Sequence, residues 1–158
     1  MDTPHGVIMT SAIFAFLHHL AAFTLVGALL YELLSFRQNL SLAEARRIQR
    51  VDIAYGVSAG LVLIVGLLRV IYFEKGSAFY TQNWFFWLKM TGFALAGLLS
   101  MYPTGKFLSW NKYFAKGQAP EISEADAARI KLTFRLELLG VILILLSAAM
   151  MARGIGMM

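Results

Sequence analysis

The sequence predicts an all-α integral membrane protein, a four-helix antiparallel bundle with both termini on the outer side of the membrane. Of its 158 residues, 59% are hydrophobic, and the mean hydropathy is +0.67. A soluble domain of this size is less apolar. Only 15% of the residues are charged, and they cluster between long apolar stretches. Four of these stretches reach the length of about 20 residues that a helix needs to cross a bilayer.

The four predicted spans form a single membrane domain, 1–158. They cover about residues 7–36, 51–73, 84–103 and 132–152. The first is longer than a bilayer requires, so we expect it to tilt or to extend beyond the lipid. The third is expected to end near Pro103.

The basic residues between the spans predict the orientation. The connections after the first and third spans carry Arg37, Arg46, Arg47, Arg50, Lys106, Lys112, Lys116, Arg129 and Lys131, whereas the opposite side has Lys75 and Arg153. Basic connections favour the cytoplasm. The start, "MDTPHG", lacks the basic region of a signal peptide, so the first span is expected to be retained. We predict a multi-pass protein of the bacterial inner (cell) membrane. Its expected partner is the lipid bilayer, and we do not expect it to bind nucleic acid.

Two similar segments precede the second and fourth spans. They read "SLAEARRI" (41–48) and "SEADAARI" (123–130). In each, a serine is followed three residues later by an acid, which is the pattern of a helix capping box. Each segment is expected to begin a helix that continues into the membrane. They are either two independent caps or the trace of a duplicated helical hairpin.

Ionisable residues within a span are costly and usually face the interior of a bundle. The candidates here are His18, His19, Glu32, Asp52, Arg69, Lys89, Arg135 and Glu137. Helical spacing places His18, Asp52, Lys89 and Glu137 on faces rich in small residues, where helices approach closely in lipid. His19 is turned from His18 by about 100°, so we expect it in packing or at the edge of a site.

Depth divides these residues into two groups. In the inner half, Arg135 is expected to pair with one or more of Glu32, Asp52 and Glu137, which makes this group a structural one. In the outer half, His18, His19, Arg69 and Lys89 have no acid within a span to pair with them. A basic group of this kind indicates an anionic ligand or a metal.

Four segments carry a family resemblance. They are "LHHLAAFTLVGALLYELLSF" (17–36), "RRIQRVDIAYGVSAGLVLIVGL" (46–67), "WLKM" (87–90) and "FRLE" (134–137). In pattern they resemble the HemJ-type protoporphyrinogen oxidases and the wider four-helix membrane group that includes the CopD copper-resistance domain. The match is nearer to uncharacterised members of that group.

The resemblance implies a fold and a haem or porphyrin site. Aligning Tyr31 with an aromatic residue of the family places His18 on the family histidine, and Lys89 falls on the family lysine. Arg135 and Glu137 fall on an arginine–glutamate element, here more closely spaced. The third helix ends "MYPTG" (101–105), without the histidine usual in the family. The family's reaction is therefore not carried over.

The first functional hypothesis is a b-type haem or porphyrin protein, with oxidoreductase activity left open and no catalytic residue singled out. The absence of cysteine excludes covalent c-type haem, iron–sulfur clusters and disulfides. His18 would be the axial ligand and the metal-binding residue, with Lys89 as second ligand or proton donor. Arg69 would bind a propionate. Trp87 and Trp84 would pack against the flat porphyrin ring, and His19 would lie at the edge of the site.

Two alternatives remain. The first is copper handling, since thioethers and imidazoles suit Cu(I). The outward methionines are Met1, Met9, Met90, Met150, Met151, Met157 and Met158, and His5 lies on the same side. The second is a non-enzymatic membrane scaffold or subunit. A homodimer is also predicted, because Gly56 and Gly60 permit close contacts and a second copy would supplement the single inward histidine.

Overall fold

The computed structural model describes residues 4–73 and 77–158, and in them the chain is an all-α membrane bundle without strands. Four helices are long and apolar enough to cross a membrane. The elements are α1 (Pro4–Ser35), α2 (Leu42–Leu68), α3 (Ser77–Thr81), α4 (Trp84–Ser109), α5 (Asn111–Phe114) and α6 (Glu124–Ala152). The long helices are α1, α2, α4 and α6, so the predicted fold class is confirmed.

The four long helices form two antiparallel hairpins. Helix α1 packs mainly against α2, and α4 mainly against α6. The hairpins meet where α1 contacts α6 and α2 contacts α4, which closes a ring of four helices. We call the end that holds the α1–α2 connection and α5 the inner end. The opposite end, which holds α3, is the outer end.

Both predicted helix starts are confirmed. The Ser41 side chain accepts a hydrogen bond from the Glu44 backbone N–H at 3.3 Å, and the Glu44 carboxylate accepts one from the Ser41 backbone N–H at 2.9 Å. This is a complete capping box. At α6, Ser123 Oγ accepts from the Asp126 backbone N–H at 3.1 Å. A cap forms hydrogen bonds only with backbone groups a few residues away, so the start of each helix can be predicted from a short stretch of sequence.

Aromatic side chains fill the core at the inner end. Phe36, just after α1, has its ring centre 6.0 Å from the ring centre of Phe107 on α4 and 6.0 Å from that of Phe134 on α6. Trp110 packs on Phe107 with ring centres 4.6 Å apart. All four are buried. This cluster anchors three of the long helices to one another at the inner end.

Helix α4 does not stop at Pro103 but continues to Ser109. Proline removes one backbone hydrogen bond and disfavours the helix interior. Here Pro103 is fully buried among its neighbours, so packing holds the helix through it. Helices α2 and α6 likewise begin before their apolar spans, at Leu42 and Glu124, because their capped first turns lie in the polar connections.

Candidate functional site

The outer half of the bundle contains a cavity of about 380 Å³ lined by the basic residues of the outer group. We call it the outer cavity. Its basic residues are His18, His19, Arg69 and Lys89, and its other walls include Val70, Phe79, Tyr80, Ala148 and Met151. Three segments that are distant in sequence thus bring these basic side chains to one space. None of the described lining residues is acidic, so the cavity is suited to an anion.

His18 is half-buried and lines the outer cavity. Its Nδ1 atom is buried and has no hydrogen-bond partner. Buried polar atoms are nearly always hydrogen-bonded, so an imidazole nitrogen of this kind is available to a ligand. His19 is exposed, and its ring stands edge-on to that of His18 with the centres 6.1 Å apart. His18 therefore lies inside the site and His19 at its edge.

Arg69 reaches the cavity from an irregular part of the second span. Helix α2 passes at Arg69 into a π-helical turn, Arg69–Phe73. Such turns occur frequently at functional sites. Helical spacing in the sequence predicts that Arg69 lies off the face of the second span that carries Asp52. In the structure its side chain lines the outer cavity, within electrostatic range of His18 and Lys89.

Trp87 does not join the site. Its side chain is 50% exposed, and its indole Nε1 donates a hydrogen bond to the backbone oxygen of Thr81 at 3.0 Å. Residues two positions apart on a helix point about 200° apart, so Trp87 and Lys89 face different sides of α4. Trp84 is also exposed. Neither tryptophan of the predicted aromatic wall is among the residues that line the outer cavity.

The aromatic wall is supplied instead by Phe79 and Tyr80 of the short helix α3. In the sequence this segment lies between the second and third predicted spans, and no motif or spacing there predicts a part in a site. The adjacent aromatic residues at 79 and 80 were the available signal. A five-residue helix has no long hydrophobic period from which its buried face can be read.

Two smaller cavities continue from the outer cavity into the bundle. The middle one, of about 120 Å³, shares His18, Gly66 and Lys89 with the outer cavity. The central one, of about 220 Å³, shares Val62 and Phe93 with the middle one. The central cavity extends as far as Tyr55 and is otherwise lined almost wholly by apolar and small residues. Its small lining residues include Ala59 and the exposed glycines Gly56 and Gly97.

A second polar group lies further toward the inner end. We call Glu32 on α1, Asp52 on α2 and Glu137 on α6 the acidic cluster. Their exposed fractions are 1%, 3% and 1%. Asp52 Oδ1 accepts a hydrogen bond from Thr104 Oγ1 on α4 at 2.8 Å, and Tyr55 interacts with Glu137. Glu32 Oε1 and Glu137 Oε1 are buried without a hydrogen-bond partner.

Comparison with known proteins places the chain in a family. A family model described as "Predicted membrane protein (DUF2214)" matches residues 10–156. The chain belongs to the DUF2214 family. The matched region of this DUF2214 protein contains all four long helices in whole or in large part, the outer cavity and the acidic cluster. No curated protein and no solved structure matches the chain.

The predicted pairing of Arg135 is wrong for this DUF2214 protein. Arg135 is exposed on α6, and no ion pair joins it to Glu32, Asp52 or Glu137, all of which the structure describes. The inward face of α6 instead carries Phe134, Glu137 and Val141. Since Arg135 precedes Glu137 by two residues, only one of the two can face the interior.

The outward methionines of the DUF2214 chain do not converge on one site. Met90 lines the middle cavity and Met151 the outer cavity, whereas Met9, Met157 and Met158 are exposed. Met1 and the side chain of His5 lie outside the described residues. Within residues 4–73 and 77–158, no group of three His, Asp or Glu side chains is arranged to hold a metal ion.

Proposed function

We propose that this DUF2214 protein binds a b-type haem or a related porphyrin in the outer cavity, within a bacterial inner membrane. The observation that supports this most is the unpartnered, buried His18 Nδ1 in a cavity that Arg69 and Lys89 also line. Imidazole is a common axial ligand of haem iron, and guanidinium and ammonium groups bind carboxylates such as propionates.

The shape of the site fits such a ligand. Small-molecule pockets typically measure about 300–1,000 Å³ and are mostly apolar with a few polar groups. The outer cavity measures about 380 Å³ and shares the lining residue His18 with the middle cavity. Aromatic faces from Phe79, Tyr80 and Phe86 are available to pack against a flat ring.

Three side chains, those of His18, Lys89 and Arg69, each have a defined part in the proposed site. His18 supplies the ligand nitrogen, and its ring interacts with the backbone of Val62. A contact of that kind orients a metal-binding imidazole. Lys89 would act as second ligand or bind a carboxylate, and Arg69 would bind the other carboxylate. A bound haem would supply one-electron redox chemistry.

The sequence resemblance supports the same residues. In the pattern that resembles the HemJ-type oxidases, His18 and Lys89 fall on the family histidine and lysine, and both line the outer and middle cavities. Arg135, which falls on the family arginine, lies on the outside of α6. The proposal therefore covers ligand binding by His18 and Lys89 and excludes a direct part for Arg135.

An absorbance spectrum of the purified protein, expressed with ample haem supply, tests the proposal. We expect a Soret band that His18→Ala abolishes or shifts and that the matched neighbour variant His19→Ala largely preserves. A colourless wild-type protein that also gives no Soret shift when titrated with haem would overturn it.

Copper is the second candidate for the same cavity. It is supported by the Met151 thioether, which lines the outer cavity together with His18 and His19, since soft sulfur and imidazole ligands suit Cu(I). Metal analysis of the purified protein tests this candidate. Stoichiometric copper that is lost in Met151→Leu supports it, and a metal-free protein after Cu(I) loading rejects it.

A further inference from the structure

The acidic cluster lies where three helices bring carboxyl groups into the apolar core. Glu32, Asp52 and Glu137 are each at most 3% exposed. They interact electrostatically with one another. The surrounding buried side chains include Leu29, Ile48, Phe107 and Phe134. The polar groups that face the cluster are the Thr104 hydroxyl and the Tyr55 hydroxyl.

Among the residues that the structure describes, no ion pair joins a basic side chain to this cluster. The basic side chains nearest in sequence are Arg50 and Arg135, each two residues from an acid of the cluster, and both are exposed. Lys106 pairs instead with Asp126, with Nζ 2.9 Å from Oδ1. In the part of the chain that the structure describes, the acids are also not arranged as a metal site. Several ionised carboxylates cannot be buried together without compensation.

The carboxyl oxygens without a hydrogen-bond partner indicate which cation the cluster binds. Glu32 Oε1 and Glu137 Oε1 have no hydrogen-bond partner. Both residues are buried, with an exposed fraction of only 1% each. An ionised carboxylate would need donors at these atoms, whereas a protonated carboxyl group is neutral and carries a donor of its own. Protons are therefore the cations that suit this site.

We propose that the acidic cluster is a proton-binding site that exchanges protons with the central cavity through Tyr55. Tyr55 lines the central cavity and interacts with Glu137, so its hydroxyl connects the two. In each exchange the Tyr55 hydroxyl oxygen accepts the proton of the Glu137 carboxyl group and passes its own proton to a water molecule in the central cavity, and the return step takes a proton from that water. The site stands independently of any ligand in the outer cavity.

Infrared spectroscopy of the purified protein in lipid tests the proton-binding site. At neutral pH we expect a carbonyl stretch of protonated carboxyl groups, which shifts when glutamate is labelled with ¹³C. Glu32→Gln and Glu137→Gln should each reduce this band, and the control Glu124→Gln, in the exposed first turn of α6, should leave it unchanged. Wild-type protein without a label-sensitive band would overturn the proposal, and this measurement needs no variant to fold.

Deuterium exchange tests the route. In D₂O the carboxyl band shifts as deuterium replaces the proton. Tyr55→Phe should keep the band but slow its shift several-fold, whereas Tyr113→Phe, on α5 at the inner end, should exchange at the wild-type rate. An unchanged rate in Tyr55→Phe would overturn the exchange route. Neither measurement requires haem, so both stand or fall separately from the haem proposal.

Discussion

The ring of His18 packs against Gly66 of the neighbouring helix, where there is no room for a larger residue. A Cβ atom at Gly66 would lie 3.0 Å from His18 Cε1 and 3.4 Å from Nδ1. Both residues line the outer and middle cavities. The absence of a side chain at Gly66 therefore lets the imidazole, with its unpartnered Nδ1, lie close against α2. The orientation of the imidazole thus depends on a residue of another helix.

Gly66→Ala is expected to displace the His18 ring and to weaken or abolish ligand binding in the outer cavity. The control is Gly60→Ala on the same helix, where an added Cβ meets nothing within 4 Å. Replacing an unhindered helical glycine by alanine stabilises a helix by about 0.5–1 kcal/mol. Haem titration and thermal unfolding compare the two. Equal haem affinity in both variants would contradict the prediction.

Arg135→Leu is expected to change the stability little, by about 0.5 kcal/mol or less, because the side chain is exposed and forms no ion pair with the acidic cluster. Glu137→Ala should cost more, about 1–3 kcal/mol, because it removes a fully buried side chain and leaves a cavity. Thermal unfolding in detergent measures both. A large loss in Arg135→Leu would show that the guanidinium pairs within the bundle after all.

Reporter fusions test the orientation. Lys112 lies on α5, between α4 and α6 at the inner end, where most basic residues of the connections are found. A fusion after Lys112 should report a cytoplasmic location, and a fusion after Met158 an external one. A periplasmic signal after Lys112 would invert the topology and would place the outer cavity on the cytoplasmic side.

The predicted homodimer is tested by a mass measurement corrected for bound detergent. Gly56 and Gly60 are both exposed with open space beside them. Gly56 also lines the central cavity, so Gly60 is the position where a substitution tests the contact without changing that cavity. We expect two chains in the wild type and one in Gly60→Leu, because a bulky side chain prevents close helix approach. A single chain in the wild type would remove the dimer.

The sequence by itself determined the class of the protein, its four long helices and where two of them begin. Apolar length follows from the thickness of the bilayer, and the caps at Ser41 and Ser123 involve residues three positions apart. The inward face of His18 could be read in the same way, since it depends on the spacing of small residues along one helix. These features are local, so a single segment contains the information.

Only the tertiary structure decided which polar groups meet. The sequence placed Arg135 and Glu137 at similar depth, but the packing of α6 turned Glu137 inward and Arg135 outward. Similarly, helix α3 and the π-helical turn at Arg69 completed the outer cavity in place of Trp87. Apolar residues surround most of each membrane helix, so its hydrophobic period identifies the inward face only weakly. The rotation of each helix is then set by contacts with its neighbours.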